Sequence, residues 1–370
     1  MKPVSALTKI LSIGDIVLES GGTLPGVNVA YRTWGRLAKG GGNAVLVEHA
    51  LTGSADVDDW WSGLIGPGSS LDPDHDFIVA ANALGSCYGT TGPTSVRPVA
   101  DRMWGAEFPA ITVRDMTAAE TRLADTLGVR RWSLVLGGSL GGMRAIEWAA
   151  THPERVASVI AIGAPLRHSA WAIGWNAIAR SALLADPRFK EGRYSSDDRP
   201  ASGLAAARAV SMLSYRSFAG LEGRFARDPG KDAPFAVEDW LARHGETFVD
   251  RFDANAWLTL SRAMDTHDVG RGRGEAASVL RRGDVPALLV GISTDALYPP
   301  EEIAAAARAW PSSEYATLET IHGHDGFLIE AHAMNDLVAS FRARQAASIP
   351  TAGGARSRDP AQRWVDFTTR

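Results

Sequence analysis

One serine stands among four glycines in the stretch WSLVLGGSLGGMRAIEWA, from Trp132 to Ala149. An apolar run ends there and a helical pattern begins at once, and Gly137-Gly138-Ser139-Leu140-Gly141 fits G-x-S-x-G. In so sharp a strand-to-helix turn, the residues two before and two after the serine must be small enough for neighbouring chain to pass. The following helix aims its first N–H groups at negative charge developing beside the hydroxyl. Alone the motif is weak, because glycine-rich turns also pack helices onto sheets. The dinucleotide-binding alternative requires G-x-G-x-x-G and an acidic residue after the next strand. Gly138 to Gly142 does not supply that spacing.

A serine hydroxyl is a poor nucleophile near neutral pH and needs a base that is itself oriented by a third group. On folds that use this turn, the acid and then the histidine follow the serine in chain order. Asp295 follows the apolar run VPALLVGIS, Val285 to Ser293, and so stands at the carboxyl end of a strand, where ligand-facing residues collect. Taken alone it reads equally as an N-cap of the helix opened by ALYPPEE. The segment ETIHGHDGFLIE then offers His322 and His324 on a loop before a helix. An oxyanion hole completes such a centre. Its donors are expected to be the backbone N–H of Leu140 and, from the loop VEHALTGSAD, that of Leu51.

These residues need a scaffold, and the hydropathy pattern provides one. Asn43–Ala50, Asp76–Ala83, Trp132–Gly138, Val156–Ala164 and Val285–Ser293 are apolar without alternation, the pattern of strands covered on both faces. Helical stretches separate them, among them Arg114–Gly128 with Met116, Ala119, Leu123 and Leu127 on one face. The alternation predicts an α/β fold with a mostly parallel central sheet and helices on both faces. Residues 165–282 lack strand-like runs and carry amphipathic stretches such as GLAAARAVSMLSYRSFAGLEGRF, predicting a helical lid inserted between core segments 1–164 and 283–345. The tail, 346–370, is polar with Gly and Pro and is expected to be poorly ordered.

Composition narrows the class. The chain has 370 residues, 45% hydrophobic and 22% charged, with a net charge of −4, which gives no electrostatic case for nucleic acid or an anionic membrane. Cys87 is the only cysteine, so neither an intrachain disulfide nor a multi-cysteine metal site is available, and no metal is expected. Lys9 interrupts the apolar character of the first residues, and no run is long enough for a membrane span. A cytoplasmic enzyme is expected.

Beyond the elbow, the strings HALTGSAD, WWSGLIGPGSSLD, NALGSCYGTTGPTSVRP, FPAITVRDM, RFDANAWLTLSRAMDTHDVGRGRG, STDALYPPEE and GHDGFLIE resemble the homoserine O-acetyltransferases of the α/β-hydrolase superfamily, in order, from about Leu11 to Ser340. The resemblance implies an α/β-hydrolase fold and ping-pong transfer from acetyl-CoA to the side-chain hydroxyl of L-homoserine, a step toward methionine. Acetyl-CoA would be a co-substrate and no cofactor would be bound. It implies Ser139, Asp295 and His324 as the triad, and Arg208 with Tyr215, seven residues on, as lid residues that hold the amino acid. It also implies Asp325 against the substrate ammonium, and a homodimer contact through the lid, with Trp171, Trp175 and Met212 as candidates. Two positions depart from the family pattern. Leu140 stands where Met is frequent, and Ser86 where Gly is common, which leaves acyl preference open. Succinyl transfer, a serine acceptor, or simple ester or thioester hydrolysis are the alternatives on this scaffold.

Overall fold

The computed structural model describes residues 5–98 and 100–348. The chain begins with an antiparallel hairpin, β1 (Lys9–Val17) and β2 (Thr23–Trp34). There follow β3 (Ala44–Glu48), the short helix α1 (Val57–Trp60), β4 (Phe77–Ala81), α2 (Val113–Thr126), β5 (Leu134–Gly138), α3 (Leu140–Thr151) and β6 (Val159–Ile162). Six α-helices come next among the described residues: α4 (Ala170–Leu184), α5 (Ala201–Ser214), α6 (Phe218–Phe225), α7 (Ala236–Arg251), α8 (Ala254–Asp265) and α9 (Ala276–Gly283). Then come β7 (Ala287–Ile292), α10 (Pro300–Ala309), β8 (Ser313–Leu318), α11 (Gly326–Ile329) and α12 (Ala331–Ala347). The strands form one eight-stranded sheet in the order β1-β2-β4-β3-β5-β6-β7-β8. Pairing is antiparallel at β1/β2 and β2/β4 and parallel across the rest.

The apolar runs behave as their lack of alternation requires. Every residue of β3, β5, β6 and β7 is buried. Successive side chains enter opposite layers. Leu46, Val135, Ala161 and Leu289 join one cluster with Met116 and Leu123 of α2 and Ile146 of α3. Val45, Leu136, Ile160 and Val290 join the other, with Met334, Val338 and Phe341 of α12. Burying one such Val, Leu or Ile contributes about 1.5–3 kcal/mol, so both layers hold the carboxyl ends of the strands firmly in register. Helix α2 starts on a capping box: the Thr112 hydroxyl accepts the Asp115 N–H, and the Asp115 carboxylate accepts the Thr112 N–H at 2.8 Å. It stops before Gly128, which has φ +75°.

The segment between β6 and β7 leaves and re-enters the core through one stalk. Its two ends run antiparallel there: the His168 N–H donates to His267 O at 2.9 Å and the Val269 N–H to Leu166 O at 3.0 Å. The amphipathic stretch GLAAARAVSMLSYRSFAGLEGRF forms two helices, α5 and α6, separated at Tyr215–Ser217, and the Ser217 hydroxyl caps α6 by accepting the Gly220 N–H at 2.9 Å. Met212 is a core residue, whereas Trp171 is 55% exposed. Helix α12 extends to Ala347, slightly past the expected start of the tail, and the rest of that tail, 349–370, lies outside the described residues.

Candidate active site

Ser139 sits between β5 and α3 with φ 58° and ψ −125°, a region that costs a side-chain-bearing residue roughly 1–3 kcal/mol. Neighbouring chain imposes this geometry. The Ser139 N–H donates to Ile162 O at 2.9 Å, and its carbonyl accepts the Met143 N–H at 3.0 Å. A Cβ at Gly137 would fall 2.6 Å from Glu48 O, and one at Gly141 2.1 Å from the same carbonyl. One at Gly138 would fall 2.4 Å from the Phe327 ring, and one at Gly142 2.6 Å from Ala164 Cβ. The four glycines therefore answer to three different neighbours. Ser139 is held rigidly at the carboxyl edge of the sheet.

Past the end of β7 the backbone turns at Asp295. Its Oδ1 accepts the N–H groups of Leu297 and Tyr298, both at 2.9 Å, and its Oδ2 lies 2.6 Å from His324 Nδ1. The carboxylate is thus committed to its own loop and to the imidazole, not to a cap of α10, which begins at Pro300. His324 Nε2 is buried and makes no hydrogen bond among the described residues. The rings of Tyr298, Tyr215 and Phe327 hold the imidazole at centroid distances of 5.2, 5.7 and 5.7 Å. Burial alone would lower its pKa, but the charge and hydrogen bond of Asp295, with Asp325 adding, raise it above the ordinary histidine value. His322 is only half-buried and lies 3.8 Å from Glu330.

Leu51 and Leu140 are both buried. The peptide that carries the Leu51 N–H is fixed through its carbonyl, Ala50 O, which lies 2.7 Å from His49 Nδ1 and accepts the Gly53 N–H at 2.9 Å. His49 Nε2 accepts the Ala83 N–H at 2.9 Å, so Nδ1 carries the proton. Burial, with the nearby Arg144 charge, pushes this imidazole down to about 3, and it stays neutral. His49 is a site residue that motif reading passed over, although it lies within HALTGSAD. Behind the loop, Arg144 of α3 is fully buried between two carboxylates. Its Nη2 lies 2.5 Å from Glu48 Oε2, and its Nε donates to Glu120 Oε1 at 2.9 Å. Glu120 also accepts the Trp148 indole N–H at 2.8 Å. Burial pushes Glu48 well above the usual carboxylate range despite Arg144.

Ser139, Leu51, His324, Arg208, Tyr215 and Asp325 line one cavity of about 570 Å3. Arg208, on α5, makes no hydrogen bond or ion pair among the described residues, and its Nε is buried without a partner. Its guanidinium packs over the Phe248 and Tyr215 rings at 5.1 and 5.8 Å, and burial lowers its pKa. Asp325 lines the cavity too, but its Oδ2 already pairs with Arg216 at 3.0 Å, a partner the sequence reading did not include. Arg251, also missed although it opens RFDANAW, donates to Thr52 O at 2.8 Å and to the Tyr88 hydroxyl at 2.9 Å. Ser86 is fully buried but does not line the cavity. A larger hollow of about 910 Å3 lies at the amino ends of β5 and β7 and contains none of these residues. Among the described residues no three His, Cys, Asp or Glu side chains gather as a metal site, and no helix is long and apolar enough to cross a membrane.

Residues 43–330 match the family model of the α/β-hydrolase fold. The homoserine O-acetyltransferase of Salinibacter ruber is 49% identical over 350 residues, covering 93% of this chain and 99% of that protein. The structure of homoserine O-acetyltransferase from Staphylococcus aureus is 26% identical with a TM-score of 0.76, covering 96% of this chain and 98% of that one. An acetylester hydrolase from Corynebacterium glutamicum, 25% identical, gives 0.82 over 91% of this chain and 96% of its own. Backbone likeness alone does not separate transferases from hydrolases on this scaffold; the sequence identity does.

Proposed function

Since the chain belongs to the homoserine O-acetyltransferases of the α/β-hydrolase superfamily, we propose that it moves an acetyl group from acetyl-CoA to the side-chain hydroxyl of L-homoserine through an acetyl-serine intermediate. Ser139 is the nucleophile, His324 the base, and Asp295 the group that fixes the tautomer and stabilises the imidazolium. The N–H groups of Leu51 and Leu140 receive the oxyanion. CoA leaves, homoserine enters, and its hydroxyl gives a proton to His324 as it attacks the ester. Residues 165–282 act as a lid that keeps bulk water from the ester. The product feeds methionine synthesis in the cytoplasm, and the lid's exposed apolar residues, Trp171 among them, are the expected homodimer contact.

The observation that carries this reading is Arg208: a guanidinium without a protein partner, opening into the cavity that holds Ser139 and His324. An esterase has no use for it. A zwitterionic amino acid does, its carboxylate taking Arg208 and its ammonium the Asp325 carboxylate. Release of CoA from acetyl-CoA and succinyl-CoA, followed with a thiol reagent with and without L-homoserine, tests the assignment. Turnover that needs homoserine and prefers acetyl-CoA supports it. Equal turnover without homoserine would mean a thioesterase, and preference for succinyl-CoA or L-serine would redirect it to those transfers.

Arg208→Met is expected to raise KM for homoserine about 10- to 100-fold, the loss of a charge-assisted contact, while acylation by acetyl-CoA stays within about twofold. Stopped-flow acylation beside steady-state kinetics checks this split.

The raised pKa of His324 sets the pH dependence. The base must be neutral, so kcat/KM for acetyl-CoA rises with pH through that pKa, above the ordinary histidine value. In Asp295→Asn the burial remains and the compensating charge is gone, so the midpoint moves to lower pH while the plateau falls. For stability the sign is opposite: protonated His324 contributes fully below its unfolded-state pKa, and that contribution is lost as pH rises through the folded value. A pH–rate profile of both enzymes decides; an unshifted midpoint would mean that Asp295 does not set the charge of His324.

A further inference from the structure

Arg251, the last residue of α7, reaches from the helical insertion to the loop that carries Leu51. Its Nη1 donates to Thr52 O at 2.8 Å and to the Tyr88 hydroxyl at 2.9 Å, and its Nη2 lies 3.4 Å from Thr52 Oγ1. The guanidinium packs over Phe248 at 5.1 Å, and the Tyr88 ring stands edge-on to Phe252 at 5.6 Å. No carboxylate pairs with Arg251 among the described residues. Its hydrogen bonds go to the loop and to Tyr88.

The loop therefore has two anchors of different origin. From the core, His49 holds Ala50 O, and Asn82 holds Ala55 by accepting its N–H at 2.7 Å while donating to Tyr88 O at 2.7 Å. From the helical insertion, Arg251 holds Thr52, three residues before Ala55, and the side chain of Tyr88, whose carbonyl Asn82 holds. A peptide N–H that must meet an oxyanion within a few tenths of an ångström needs its peptide fixed on both sides. The first anchors come from the core strands and their loops, whereas the hold of Arg251 comes from α7 itself.

We propose that Arg251 is a positioning residue through which the helical insertion sets the oxyanion loop, so that Ser139 is acylated at full rate only with α7 seated; this rests on the acetyl-serine reading above. Arg251 lines the same cavity, but its donors are spent on Thr52 and Tyr88, and it acts through them. A seated helix thus both narrows the cavity and completes the donor geometry, linking closure to the first chemical step.

Arg251→Met keeps the stem on Phe248 and removes the donors, and Arg251→Lys keeps a charge and a donor as a milder variant. Both are measured for the pre-steady-state burst of CoA from acetyl-CoA, for KM of homoserine, and for binding of a trifluoromethyl ketone analogue of acetyl-CoA. Such an analogue forms an oxyanion on adding to a serine. Acylation by Arg251→Met should fall about 10- to 100-fold, with affinity for the analogue falling by a similar factor and KM for homoserine within about twofold. The lysine variant should fall between. Added guanidinium should restore part of the rate to Arg251→Ala. Wild-type acylation and analogue binding in these variants, or a change confined to KM for homoserine, overturns the proposal. A wild-type enzyme that gives no CoA burst would overturn the acetyl-serine reading instead.

Discussion

Ser139→Ala should lower acetyl transfer by roughly 10⁴- to 10⁶-fold, an effect that loss of the His324 base alone could match. In the proposed mechanism the hydroxyl is the acyl carrier, and no other side chain is held at that turn. Removal leaves the oxyanion donors and the Asp295–His324 pair intact, so weak residual turnover by directly activated water is the most that can remain. Ala at φ 58° keeps the backbone strain, whereas Ser139→Gly relieves it. The glycine variant should therefore be equally inactive yet more stable than the alanine variant by about 1 kcal/mol. Intact-protein mass after exposure to acetyl-CoA, together with urea unfolding of the three proteins, tests both statements. An acetylated alanine variant would remove Ser139 from the mechanism.

The second large effect concerns stability. Arg144→Met is expected to cost about 3–5 kcal/mol, because it leaves Glu48 and Glu120 buried without their cation. Replacing all three by well-packed apolar residues should recover most of that loss, since the intact cluster also carries a desolvation cost. In the single variant the deficit should shrink in acid. The raised pKa of Glu48 means that its protonated form stabilises the fold below the ordinary carboxylate pKa, and this is lost as pH climbs through the raised value. Denaturant unfolding at two pH values measures it. A loss under 1 kcal/mol at neutral pH would mean that the carboxylates find water or another donor.

Both predictions use residues whose legibility in the sequence differs. The elbow and Asp295 could be read because each lies at the carboxyl end of an apolar run; chain order then pointed to the loop that holds His322 and His324, and the family resemblance, not the hydropathy pattern, selected His324. The central strands could be read because burial on both faces leaves no polar residue in β5, β6 or β7. β1, β2 and β8 escaped notice for the converse reason. They lie at the sides of the sheet, and their exposed and buried residues mix without a long apolar run. The division of the insertion's amphipathic stretch into α5 and α6 was not specified, because the apolar spacing continues across Tyr215–Ser217. Arg144, Arg251 and His49 were hidden more deeply. An arginine on a helix reads as a solvated charge, and only tertiary contact shows that Glu48, Glu120, Thr52 or Ala50 O is its partner or its neighbour's.

The position of the helical insertion also sets the order in which neighbouring strands of the sheet are synthesised. β6 and β7 are adjacent in the sheet, but all of α4 to α9 is synthesised between them. Until β7 emerges, β6 is the open margin of a growing sheet, and its residues are Val159, Ile160, Ala161 and Ile162. A short apolar strand with one free row of backbone donors and acceptors is a template for pairing with another nascent chain. The sequence that makes β6 a good central strand in the finished enzyme thus makes the half-made polypeptide adhesive, for as long as translation of six helices takes.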